Sequence, residues 1–175
     1  IHAFGPVSGA HLNPVVSVID HVFGGINRVT LLVYVPAQVM GAIGGAIVAN
    51  LMFDLKAIEW SEKARSGDGV WLGEIVATFG LIVVIFAMVR TGRNIWIPLA
   101  VASYIASAYY FTSSTSFANP AVTIGRTFSD TFAGIAPGDM PAFVVFEFMG
   151  GALGAVAVWA LYPRAEALGQ VPGER

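Results

Sequence analysis

Two stretches, His11-Leu12-Asn13-Pro14-Val15-Val16-Ser17-Val18 and Phe117-Ala118-Asn119-Pro120-Ala121-Val122-Thr123-Ile124, match each other 106 residues apart. Each follows a small, polar lead-in, Ser8-Gly9-Ala10 in the first copy and Ser113-Ser114-Thr115-Ser116 in the second. Each then continues as an apolar run too short to cross a bilayer. Asn as N-cap with Pro at the first helical position is a strong helix start. The repeat therefore predicts two irregular loops, each turning into a half-helix. A lone Asn-Pro pair would be an ordinary cap, but two matching copies in so apolar a chain point to a shared structural role.

The apolar setting is set by composition. Hydrophobic residues make up 56% of the chain and charged residues 11%, where soluble domains carry about 25% charge; the mean hydropathy is +0.73. So few charges cannot coat a water-facing surface, and the solvent for much of this chain is predicted to be the lipid bilayer. A net charge of −2 without a basic run argues against a nucleic-acid partner. Cysteine is absent, which removes disulfides, thiolate metal sites and cysteine nucleophiles.

Four stretches are long and apolar enough to be read as spanning helices: 29–53, 70–89, 95–112 and 140–162. Small residues recur every fourth position at Ala37, Gly41, Gly45 and Ala49, and again at Gly150 and Gly154, the pattern that lets helices approach closely in lipid. Arg28, Arg90, Arg93 and Arg164 fall on one face of the membrane, which the distribution of basic residues predicts to be cytoplasmic. The segments 54–69 and 129–139 are then external.

Irregular backbone is tolerated in a membrane only where it is buried or lines a water-filled cavity, and repeated interrupted segments mark a transport pathway near the midplane. Three spans separate the two copies, so the second enters from the opposite face. The half-helices then meet head to head, with their positive ends and the Asn13 and Asn119 amides at the centre. Carbonyls of Gly9, Ala10, His11, Thr115, Ser116 and Phe117 would offer a ladder of acceptors, and the positive centre would oppose protons and cations. The arrangement suits passive conduction of small neutral solutes. An ion-coupled secondary transporter is the alternative, since such proteins also use inverted repeats, but neither motif carries an acid. No nucleophile–base pair, phosphate loop or metal cluster supports an enzyme, and no cofactor is expected.

At these residues the chain resembles the major intrinsic protein (aquaporin and aquaglyceroporin) family. Ser8-Gly9-Ala10-His11-Leu12-Asn13-Pro14 is similar to its first pore loop and Phe117-Ala118-Asn119-Pro120-Ala121 to its second. Tyr34-Val35-Pro36-Ala37-Gln38-Val39-Met40-Gly41-Ala42 resembles its third helix, Gly73-Glu74-Ile75 the start of its fourth and Gly150-Gly151-Ala152-Leu153 its last. The resemblance implies an all-α, inverted-repeat membrane bundle with two re-entrant half-helices, lacking the first helix and most of the second. It implies a partial channel domain over 1–163, a cytoplasmic C-terminal tail over 164–175, a multi-pass protein of the cell membrane and a homotetramer. The implied solutes are water and glycerol-like polyols, extending to metalloid hydroxides such as arsenous acid, which some bacterial members pass.

Departures from the family pattern locate selectivity. Val15 stands where Ala is usual, which would add bulk near the narrow centre. Val122 stands where an Arg normally follows the second motif, so a fixed cation is lost from the outer filter. Carrying the remaining filter positions over by motif spacing gives Ser107 and Ser116, both small, and a wide filter of the polyol-conducting kind. Arg126, further along the second half-helix, reads either as a vestibule cation or as an interfacial residue snorkelling to water. Glu74 resembles the family's strut, which accepts hydrogen bonds from the second pore loop. Glu147 is an intramembrane acid with no partner legible in the sequence, costly unless bonded. His11 would border the inner pore, with no second metal ligand at useful spacing. Gln38, Tyr104, Tyr109 and Tyr110 are assigned to packing and interface contacts.

Overall fold

A computed structural model describes residues 1–163; Arg164 and the expected tail over 164–175 lie outside the described residues. The helices are α1 (Gly5–Ser8), α2 (Pro14–Val22), α3 (Arg28–Met52), α4 (Asp68–Arg90), α5 (Ile97–Phe111), α6 (Pro120–Gly125) and α7 (Met140–Leu161). Short 3-10 turns, Asn94–Trp96 and Arg126–Phe128, precede α5 and follow α6. No strand occurs among the described residues.

Three helices, α3, α4 and α7, have the length and apolar character to cross a membrane. The fourth expected span is shorter: α5 has 15 residues, fewer than the ~20 of a full crossing. Its end is set by Thr112, which turns extended (φ −100°, ψ 144°) to begin the lead-in of the second motif. Both motifs form the predicted half-helices. Asn13 caps α2 and Asn119 caps α6, with Pro14 and Pro120 in the first turn, where the missing N–H costs nothing.

The long helices cradle the two half-helices. Val15, Val16 and Ile19 of α2 form one buried cluster with Ile82 and Phe86 of α4 and Val158 of α7. On the opposite copy, Phe117 packs with Ile135 and Phe143, and Ala118 with Ala77 and Leu81. Close approach of α4 and α7 rests on the second small-residue ridge: a Cβ at Gly150 would lie 2.4 Å from the Ile75 carbonyl oxygen, and one at Gly154 would lie 2.8 Å from that of Phe79. The ridge on α3 behaves differently. Gly41 and Gly45 have no atom within 4 Å of a built Cβ, so that face is open in the described chain.

The segment after α3 does not extend as a solvated loop. Glu59 N–H donates to the Phe128 carbonyl (3.2 Å), Ser61 N–H to that of Thr127 (3.0 Å), and Ala136 N–H to that of Lys63 (2.8 Å). These bonds fold the 54–69 connection against the residues that follow α6.

Gly150→Leu should force α4 and α7 apart, costing on the order of 1–3 kcal/mol or more. Gly138→Ala, at a site with nothing within 4 Å, should be neutral. Thermal unfolding in detergent, followed by loss of the monodisperse chromatographic peak, compares the two.

Candidate functional site

The two motifs cross-link each other. Asn13 Nδ2 donates to the Ala118 carbonyl (2.7 Å), and Asn119 Nδ2 donates to the Leu12 carbonyl (2.9 Å). Each side-chain oxygen caps its own half-helix: Asn13 Oδ1 accepts from Val15 N–H (2.9 Å), and Asn119 Oδ1 from Ala121 N–H (3.1 Å). Each amide thus ends one helix and ties down the other loop.

The loops before them repeat in conformation as well as in sequence. Gly9, Ala10 and Leu12 have φ of 73°, 49° and 50°; their counterparts Thr115, Ser116 and Ala118 have 64°, 52° and 48°. Left-handed backbone costs a non-glycine residue roughly 1–2 kcal/mol, so these loops need external support. The lead-in serines supply part of it in both copies: Ala10 N–H donates to Ser8 Oγ (3.3 Å) and Ser116 N–H to Ser114 Oγ (3.2 Å).

Two fully buried carboxyls brace the second loop. Glu74 accepts from Phe117 N–H at 2.9 Å and from Ala118 N–H at 2.7 Å, as the resemblance implied. The partner of Glu147, illegible in the sequence, is the second half-helix itself. Its Oε1 accepts from Asn119 N–H (3.1 Å) and from the Thr123 hydroxyl. The equivalent hydroxyl in the first copy, Ser17 Oγ, accepts from Gln38 Nε2 at 2.9 Å. Gln38 therefore braces α2, a more specific task than general packing. Tyr104 keeps a packing role, its hydroxyl bridging to the carbonyls of Val76 and Ala77 on α4.

A cavity of about 400 Å³ runs past this centre and is lined by both Asn residues, Gly9, Ala10, His11, Ser116 and Phe117. Thr115, the sixth expected carbonyl residue, instead engages Arg65 through its hydroxyl. From α5 the lining stripe is Ile97, Val101, Ile105 and Tyr109, at four-residue steps down one helix face. Ser107 lies off that stripe, its hydroxyl turned back onto the Ser103 carbonyl (2.8 Å); Tyr109, assigned to packing in the sequence, takes the place beside the cavity. Val122 and Arg126 also line it.

Val15 corrects another expectation. Its side chain is fully buried, and a Cβ at Gly151 would come within 2.3 Å of Val15 Cγ1. The additional bulk therefore points into the seam between α2 and α7 and not into the pore.

Sequence inspection passed over Arg65 and Asp20. Arg65, 7% exposed, donates to the carbonyls of Gly134 (2.7 Å), Phe132 (2.9 Å) and Ser114 (3.1 Å). A rigid fork of donors suits such a nest of carbonyls. Burial, followed by the nearby Arg126 charge, lowers the Arg65 pKa from its ordinary value, while Glu74 opposes the shift; arginine remains cationic through such changes. Asp20 also lines the cavity, its Oδ2 3.6 Å from His11 Nε2. His11, expected at the inner pore, lines the cavity and places Nδ1 3.2 Å from Ser17 Oγ.

The family described as Major intrinsic protein matches residues 1–108. The chain is 48% identical over 172 residues to Aquaglyceroporin AqpS of Rhizobium meliloti (strain 1021), an alignment covering 97% of this chain and 73% of that protein. It is 29% identical to human Aquaporin-2, across 97% of this chain and 65% of that one. With human Aquaporin-5 the identity is 30%, across 91% and 62%. The chain thus spans less than two thirds of the length of these two human relatives.

Two substitutions probe the supports. Gly151→Ala should destabilise the protein by about 1–3 kcal/mol, and Val15→Ala in the same chain should recover most of the loss; additive effects in thermal unfolding would show that the two sites are independent. Glu74→Gln replaces one acceptor with a donor facing a backbone N–H, a buried mismatch of about 1–3 kcal/mol. Solute flux should fall by roughly ten-fold as the second loop loosens, read as stopped-flow light scattering on proteoliposomes.

Proposed function

The chain belongs to the major intrinsic protein family, and from its geometry we propose a passive, multi-pass membrane channel for small neutral solutes, water and glycerol-like polyols. The observation that carries this reading is the reciprocal bonding of Asn13 and Asn119 beside one continuous cavity. Each terminal amide holds two N–H groups and spends one on the opposite loop, leaving a second donor for a passing oxygen. Loop carbonyls from Gly9, Ala10, His11, Ser116 and Phe117 accept hydrogen bonds from the solute's hydroxyl groups. A hydroxylated molecule can thus exchange water for protein partners stepwise without a large desolvation cost. The half-helix N-termini converge at the same level and give the centre a positive potential that opposes protons and cations.

Width is governed by Ser116, Val122 and Tyr109. Ser116 Oγ is buried and makes no hydrogen bond among the described residues, leaving it available to a solute. Val122 puts an isopropyl group where the family usually carries a guanidinium, and an apolar wall beside a free hydroxyl suits the two faces of a polyol. The Ser107 filter position is less favoured, because its hydroxyl is engaged within α5. Neutral metalloid hydroxides such as arsenous acid have the same hydroxyl-rich chemistry and fit the same path. The name of the Rhizobium meliloti relative, an aquaglyceroporin, accords with this solute class.

The proposed orientation places Arg28, Arg90 and Arg93 at the cytoplasmic face of the cell membrane, with the C-terminus on that side. A homotetramer is the proposed assembly, and the apolar outer face of α3 supports lateral contacts within the bilayer.

Proteoliposomes containing the protein should swell in a glycerol gradient at a rate unaffected by protonophores or by removing sodium. Saturable uptake that needs either gradient would instead establish the coupled-transporter alternative. Val122→Phe should narrow the outer opening and lower the glycerol-to-water permeability ratio by about ten-fold.

A further inference from the structure

The internal repeat extends beyond the matched motifs. The residue seven positions after Asn13 is Asp20, and the residue seven positions after Asn119 is Arg126. Both line the one cavity that holds the two Asn residues. Each also contacts the residue two positions before its own Asn: Asp20 Oδ2 lies 3.6 Å from His11 Nε2, and the Arg126 guanidinium lies 4.1 Å from the centre of the Phe117 ring. The two half-pores therefore present equivalent positions with equivalent contacts and opposite charge.

Neither charge is explained by local stability alone. Asp20 falls near the C-terminal end of α2, where the helix dipole disfavours an acid. It occupies space that only a glycine leaves free, since a Cβ at Gly25 would lie 2.2 Å from Asp20 Oδ1. Arg126 is anchored through Nη2 to the Tyr109 hydroxyl (3.0 Å), while its Nη1 makes no hydrogen bond among the described residues. The second guanidinium over Phe117, that of Arg65 at 4.7 Å, is engaged with three carbonyl oxygens, and its like charge opposes that of Arg126. Arg126 caps the C-terminus of the half-helix in right-handed helical conformation (φ −70°, ψ −11°), four residues after Val122. Helical side chains lean toward the preceding turn, so Arg126 serves the level from which Val122 withdraws a cation.

We propose that Asp20 and Arg126 are a pair of ion-rejecting collars of opposite sign, Arg126 excluding cations at the outer end and Asp20 excluding anions at the inner end. The inference rests on the channel reading above. A positive pore centre repels cations but attracts anions. With Val122 apolar, the centre alone would leave a wide path that small anions could use. A fixed carboxylate beyond the centre removes that route, and a neutral polyol passes both collars without a Coulombic cost.

The test compares ion permeability with glycerol permeability in proteoliposomes of the full-length channel, using potassium and chloride diffusion potentials. Asp20→Asn should raise the chloride-to-glycerol ratio by about ten-fold and leave the potassium ratio unchanged; Arg126→Gln should do the reverse. A rise of both ratios in either variant would mean general loosening and overturn the proposal, as would no rise in either. Asp20→Glu and Arg126→Lys keep the sign of each charge and should keep the wild-type ratios; a leak there would assign the effect to packing. The chain contains no cysteine, so Asp20→Cys and Arg126→Cys can be charged after folding with anionic or cationic thiol reagents. Only the reagent of the native sign should restore rejection, and equal effects of both reagents would overturn the assignment. Absence of glycerol flux in the wild type would count against the channel reading itself, separately from the collars.

Discussion

Two side-chain amides hold this architecture together. Asn13 and Asn119 each cap a half-helix with the oxygen and bind the opposite loop with the nitrogen. Neither half-helix, of nine and six residues, could stand alone, because short helices are marginal even with good propensity. Joined at the centre, each becomes the other's terminus. The crossing fixes the spacing of the loops, and the loops fix the bore. The long helices act as a frame that holds these two ends in register.

The frame supplies its polar support from within the membrane. Left-handed residues on both loops turn consecutive backbone groups in directions that a helix or strand would not allow. The N–H groups exposed by this geometry meet Glu74 and Glu147, while hydroxyl and amide contacts from Ser8, Ser17 and Gln38 serve the first copy. Buried carboxyls are expensive unless bonded. Both Glu74 oxygens are bonded to the segment that most needs holding, and Glu147 binds it through Oε1, while its Oε2 makes no hydrogen bond among the described residues. Arg65 adds to this support by gathering carbonyls from two separate stretches of chain, Ser114 before the second motif and Phe132 with Gly134 after α6.

Much of this was legible in the amino-acid sequence because it is written locally. Asn-Pro starts, their repetition at 106 residues, and apolar runs of spanning length all act through neighbours in the chain. The Glu74 strut came through family resemblance and not through spacing. What escaped depends on direction and distance. Whether Val15 faces the pore or the helix seam is decided by Gly151, 136 residues away. Tyr109 rather than Ser107 faces the cavity because the lining stripe of α5 follows four-residue steps from Ile97, a phase that motif spacing does not carry across the intervening loop. Arg65 looked like one more charge in a polar connection, and its carbonyl partners lie 49 to 69 residues further on. Asp20 left a readable trace: extending the repeat alignment to the seventh residue past each Asn pairs it with Arg126.

The fit of Val15 against Gly151 also makes the two positions answer for each other. A Cβ at 151 would approach Val15 Cγ1 to 2.3 Å, so what either position tolerates depends on what the other holds. A branched side chain two residues after the first pore asparagine is accommodated by the missing side chain on the last helix, and the shape of the pore centre is in this way tied to a residue that never touches a solute.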